Sequence, residues 1–166
     1  MNTLSITLIE TAPATSGGHH HPEISFDLRI DEEPHPGFAG LSIDPGAFVE
    51  SHDDGEFFVA TCGCGVPDCA GVFDGVTVIH DATHVHWKIP EPYALADGAL
   101  QPEPMTYAEF SFNADEYHQQ LAGVVAALQG LVQREEAGEQ FSIEANAGVS
   151  ASSILKWVLG GTTASR

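Results

Sequence analysis

The sequence predicts an α+β fold: a mainly antiparallel β-sheet of about six to eight strands packed against one long and one short C-terminal helix. Runs with period-two alternation fill the first two thirds of the chain. The long apolar stripe at helical spacing begins only after Asn113. Strands precede helices, the order expected of a sheet with helices added last. The chain has 166 residues, 43% of them hydrophobic. That is the size of one domain, residues 1–166, able to bury a core without staples.

Leu4, Ile6 and Leu8 alternate with Ser5, Thr7 and Ile9, an opening strand with one face inward. Residues 11–22, rich in Pro, Gly, Ser and His, read as a flexible exposed loop. Its His19, His20 and His21 suit adventitious metal binding. Residues 24–30 alternate again, with Ile24, Phe26, Leu28 and Ile30 on one side. A short strand around residues 41–43 follows an acidic, proline-bearing turn. Residues 56–62 and 72–79, rich in Phe, Val and Thr, flank the cysteines as a hairpin. A second hairpin joins residues 76–80 to 84–88. Pairing His80 with His84 there would set Ile79, Val85 and Trp87 on one core face, and His80, His84 and His86 together on the other. A proline-rich connection spans residues 90–105 and leads to a strand at 106–112.

The long helix starts after Asn113, where Asn113 and Glu116 have capping-box spacing. Tyr117, Leu121, Val124, Val125, Leu128, Leu131 and Val132 form its apolar stripe. Gly123 and Gly130 cost about 1 kcal/mol each in propensity and imply close backbone contact or a weak point. Gly138 is the natural stop. A shorter helix runs from a Ser150 cap to Gly160.

Five basic residues stand against 24 acidic ones, a formal net charge of -19 at pH 7. That balance excludes phosphate backbones and anionic membranes and favours a basic protein or a cation as partner. It also serves solubility alone. No apolar run approaches the length of a membrane span and no signal-like N-terminus is present, so the expected compartment is the cytoplasm. An odd number of cysteines, three, fits a reducing compartment rather than a secreted disulfide framework.

All three cysteines fall in one C-x-C-x4-C segment, Cys62, Cys64 and Cys69, folded back by Gly63, Gly65 and Pro67. That pattern admits a soft-metal site, one disulfide with a thiol left over, or small buried residues at a glycine turn. A structural zinc needs four ligands, so a fourth must come from His80, His84, His86, Asp68 or His52. The expected metal set is Cys62, Cys64, Cys69 and His80, and zinc is the cofactor these residues admit. No basic residue stands near in sequence to favour a reactive thiolate. His80, His84 and His86 form a second candidate metal triad, and His52, Asp53, Asp54 and Glu56 a polar cluster suited to a cation or an acid/base pair. No nucleophile elbow, phosphate-cradling loop or dinucleotide fingerprint is present, so no catalytic residue is assigned.

Cys-Gly-Cys-Gly and Cys-Ala-Gly within residues 57–71, Val85-His86-Trp87, Phe110-x-Phe112 and Tyr117 at the helix entry together resemble an uncharacterised group of small bacterial proteins. These carry a C-x-C-G-x-x-x-C turn, a Val-x-Trp strand and a Phe-x-x-x-x-Tyr helix entry. The resemblance covers residues 56–128 and implies a shared cysteine turn, with no reaction or ligand attached. The group has an aromatic after the third cysteine, where this chain has Ala70, and it lacks His80, His84 and His86. The functional expectation is a non-enzymatic acidic binding or regulatory domain, immunity-like in neutralising a basic surface, with the turn as a structural staple. The alternative is a thiol-redox or zinc-binding protein using Cys62, Cys64 and Cys69.

Overall fold

In the computed structural model, which describes residues 1–12, 21–146 and 148–160, strands and helices form an α+β fold. The expected loop at 11–22 lies mostly outside these residues. The best-formed sheet is antiparallel and four-stranded: β5 (Gly55–Phe57), β7 (Val76–His80), β8 (His84–Glu91) and β9 (Thr106–Asn113), in that order. A second sheet holds β1 (Leu4–Thr11), β2 (Glu23–Ile30), the two-residue β3 (Glu33–Pro34) and β10 (Ser142–Ile143). There β10 runs parallel to β2. The short β4 (Ser42–Ile43) and β6 (Ala60–Thr61) pair separately.

Alternation puts Ile24, Phe26, Leu28 and Ile30 of β2 in the core and leaves Glu23 and Arg29 outside. The long helix α2 (Ala114–Glu136) covers this core. Asn113 caps it, its side-chain oxygen accepting from Glu116 N at 3.1 Å, as the spacing predicts. Tyr117, Leu121, Val124, Leu128 and Leu131 are buried, while Val125 and Val132 sit half-buried at the edge of the stripe. A Cβ at Gly123 or Gly130 would meet nothing within 4 Å, so these glycines serve no close approach and act as weak points.

The hairpin register differs from the sequence expectation. His80 pairs with Val85, Ile79 with His86 and Val78 with Trp87. The Asp81 carboxylate accepts from Thr83 N at 2.7 Å and His84 N at 2.8 Å, and Asp81 N donates to His84 O, so residues 81–84 close the turn. A slip of one residue exchanges the faces. Ile79 is therefore 45% exposed, while Val78, Val85 and Trp87 are fully buried. His80 turns inward, away from His84 and His86, which disperses the expected histidine triad.

Helix α1 (Pro45–Glu50) begins at Asp44, whose Oδ1 accepts from Gly46 N and Ala47 N. Asp-Pro at that junction is a helix-start signal, with the cap first and Pro in the first turn. α3 (Ala151–Gly160) starts after Ser150, whose hydroxyl accepts from Ser153 N. Glu135 at the end of α2 accepts from Ala151 N at 2.6 Å and Ser152 N at 3.2 Å.

Phe48, Trp87, Phe112 and Tyr117 meet at the centre, with ring centroids 5.5 to 6.3 Å apart. Trp87 Nε1 donates to Tyr117 OH at 3.1 Å, and Ser51 Oγ lies 2.5 Å from the same hydroxyl. Burial pushes the Tyr117 phenol up to about 12, so the hydroxyl stays neutral.

Candidate functional site

The cysteine turn is an excursion between β6 and β7. After β6 the chain turns through residues 62–66, enters a 3-10 turn at Pro67–Ala70 and leaves through Gly71. Two glycines fix it. Gly65 has φ +81°, and a Cβ there would lie 2.1 Å from Ala145 O. Gly71 has φ +73°, and its Cβ would lie 2.2 Å from Leu95 O. Only glycine combines this backbone with such close approach. Ala145 N donates to Gly63 O and Leu95 N to Gly71 O, so the turn is pinned between the loop before α3 and the proline-rich connection. Tyr93 of that connection is buried and donates from its hydroxyl to Ala60 O at 3.0 Å.

These constraints bring the sulfurs of Cys62, Cys64 and Cys69 within 4.8 Å of one another. Cys62 and Cys64 are joined as a disulfide, with Cα atoms 5.3 Å apart, and Cys69 is a free, exposed thiol. Cys62 is half-buried and Cys64 exposed. Cys62 Sγ lies 3.4 Å from Val66 O, an acceptor for its S–H when the bond is reduced. Among the described residues no His, Asp or Glu joins this group of sulfurs.

His80 is therefore not brought to the thiols. Its Nδ1–H donates to Asp54 Oδ1 at 2.9 Å, and its ring stacks on His118 at 6.1 Å between centroids. His80 Nε2 is buried without a hydrogen-bond partner among the described residues. The two bonds from His80, backbone and side chain, hold the Asp54 carboxyl below its ordinary value. On the opposite face, His86 Nε2–H donates to Asp81 Oδ2 at 3.0 Å while Nδ1 accepts from Ser111 Oγ. The His86 bond, with the N–H groups of Thr83 and His84, holds Asp81 well below the carboxylate range. The polar cluster at residues 52–56 disperses too. His52 faces Asp53 at 3.3 Å, Asp54 turns to His80, and Glu56 accepts from Gly75 N.

Two clefts flank the turn. One, of about 500 Å³, includes Cys69 and Asp97. The other, of about 560 Å³, is walled by Phe57, Phe58 and Trp157 and edged by Glu50, Glu56 and Asp68. Sequence reasoning missed Glu50 and Trp157, because α1 and α3 meet the turn only in three dimensions. The Asp44-Pro45 start signal was the one trace of α1 in the sequence.

No protein-family model, no curated protein and no solved structure matches this chain. The fold and the turn define an α+β protein carrying a surface turn of three cysteines, one half-buried and two exposed. No helix among the described residues is long and apolar enough to cross a membrane.

Proposed function

We propose that the cysteine turn is a redox-gated site for a soft divalent cation, with zinc as the natural occupant. The observation that carries this is the grouping of three sulfurs within 4.8 Å on a turn pinned by glycines, two of them already paired. In the oxidised state the disulfide removes two donors. A thiol reductant supplies two electrons and two protons: the Cys62–Cys64 bond opens to two thiols and the reductant becomes a disulfide. Cys62, Cys64 and Cys69, losing their protons, then present three thiolates. With no further side-chain donor in the group, a tetrahedral ion takes its fourth ligand from water or a partner.

The test is zinc stoichiometry and free-thiol count on oxidised and reduced protein, with His19, His20 and His21 replaced to exclude adventitious binding. The expected result is one zinc per chain after reduction and none before. Cys69→Ser should weaken binding by about tenfold or more, and His80→Ala should leave it unchanged. Reduced protein with three free thiols and no zinc overturns the proposal.

A second reading, an acidic binding or regulatory domain for a basic partner, is favoured by a different observation. The larger cleft combines aromatic walls with carboxylate edges in a chain of net charge -19.

A further inference from the structure

We infer that the cysteine turn is a thiol relay that reduces small external disulfides of neutral or positive charge. Cys69 is the thiol that meets them, and the Cys62 and Cys64 thiols supply the two electrons. The relay shares its sulfurs with the zinc reading and goes beyond it, since no step needs an ion.

The three sulfurs lie within 4.8 Å of one another, yet their surroundings differ. Cys69 is exposed and opens on a cleft of about 500 Å³, within the range of ligand-binding sites. Cys62 and Cys64 line neither cleft beside the turn. Phe73, 53% exposed, and Leu95 give the Cys69 cleft apolar surface, and Ala96, Gly98 and Ala99 add little bulk to its lining. Leu95 N donates to Gly71 O at 2.9 Å, so backbone holds the connection carrying these residues against the turn carrying Cys69. Cys62 is half-buried, its Sγ 3.4 Å from Val66 O, while Cys64 is exposed. An external disulfide therefore has a seat beside Cys69 and none beside the other two sulfurs.

The exchange proceeds in three balanced steps from the reduced turn. The Cys69 thiolate attacks one sulfur of the external disulfide, forming a mixed disulfide and expelling the first thiolate, which takes a proton. The Cys64 thiolate attacks Cys69 Sγ, forming a Cys64–Cys69 bond and expelling the second external thiolate. The Cys62 thiolate then attacks Cys64 Sγ and returns Cys69 as a thiol. Two protein thiols have given two electrons and two protons, and the external disulfide has become two thiols. The end state is the arrangement observed, with Cys62 and Cys64 joined and Cys69 free.

Charge selects the substrate. Asp68 and Asp97 line the cleft in a chain of net charge -19, so a disulfide bearing carboxylates is repelled and one bearing ammonium groups is attracted.

The test mixes reduced protein, held zinc-free by a chelator at about pH 8, with cystamine or with oxidised glutathione. Thiol release is followed in time, and the protein's disulfides are mapped by mass spectrometry. The native chain should release two thiols for each cystamine consumed and finish with Cys62 joined to Cys64. Cys62→Ser should stop one step earlier, at a Cys64–Cys69 disulfide. Cys69→Ser should slow thiol release by about tenfold or more, and oxidised glutathione should react about tenfold more slowly than cystamine at low salt. Equal rates for the two disulfides would overturn the charge selection. A Cys69→Ser chain as fast as the native one, or a Cys62→Ser chain without the Cys64–Cys69 bond, would overturn the relay. Exchange by a chain that takes up no zinc overturns the cation site alone, and zinc uptake by a chain that does not exchange overturns the relay alone.

Discussion

The aromatic centre under the four-stranded sheet and the cysteine turn are both small clusters of special residues, yet they are held in opposite ways. At the centre, Phe48, Trp87, Phe112 and Tyr117 are almost fully buried, and the Trp87 N–H and Tyr117 hydroxyl satisfy one another. At the turn the side chains are exposed or half-buried, and backbone contacts at Gly65 and Gly71 do the holding. The first cluster spends its chemistry internally and stabilises the fold. The second keeps its sulfurs available and is fixed by atoms that take no part in their chemistry.

That contrast predicts a ranked set of effects. Trp87→Ala should cost about 3–5 kcal/mol in denaturant unfolding, since it empties a packed site and strips the Tyr117 hydroxyl of a donor. A cost near that of a surface substitution would show the centre to be less tightly packed than its burial indicates. Gly65→Ala should cost about 2–4 kcal/mol, because its Cβ meets a backbone carbonyl at a left-handed φ. It should also abolish zinc uptake by the reduced chain, whereas Trp87→Ala, if folded, should retain it. Loss of stability without loss of zinc binding would uncouple the pinning from the sulfur grouping.

The smallest effect concerns pH. Burial lowers His35 from its ordinary value of 6.5, and its Nδ1 accepts from Gly37 N, which requires the neutral ring. The unfolded chain therefore takes the proton first as pH falls, and stability decreases through the window just below 6.5. Asp54 is lowered from 3.8, so its contribution persists above that value and is lost only in stronger acid. Unfolding midpoints measured between about pH 7 and pH 5 should fall in the native chain and flatten in His35→Gln. An unchanged slope in that variant would assign the effect elsewhere.

Local signals made α2, α3 and the longer strands legible in sequence, while the six-residue α1 was not read. Asn113 with Glu116, the stripe from Tyr117 to Leu131 and the alternation of β2 are short-range patterns, and they correspond to observed elements. The hairpin register was not legible, because it hangs on the Asp81 side chain closing the turn onto Thr83 and His84. One residue of offset moved His80 from the expected ligand face to the core side. The parallel pairing of β10 with β2 joins residues more than a hundred positions apart and leaves no local trace. At the site, the cysteine spacing showed a cluster and left disulfide, metal and packing open. How the turn is held depends on backbone contacts from Ala145 and Leu95 that spacing does not encode.

Glu135 carries a consequence for the order in which the chain assembles. A ten-residue helix is marginal in isolation. The carboxylate that receives the first N–H groups of α3 belongs to α2, so α3 acquires this cap only after the long helix has formed as far as its last turn. That dependence predicts that α3 docks after α2, so that the aromatic wall it contributes through Trp157 is completed late.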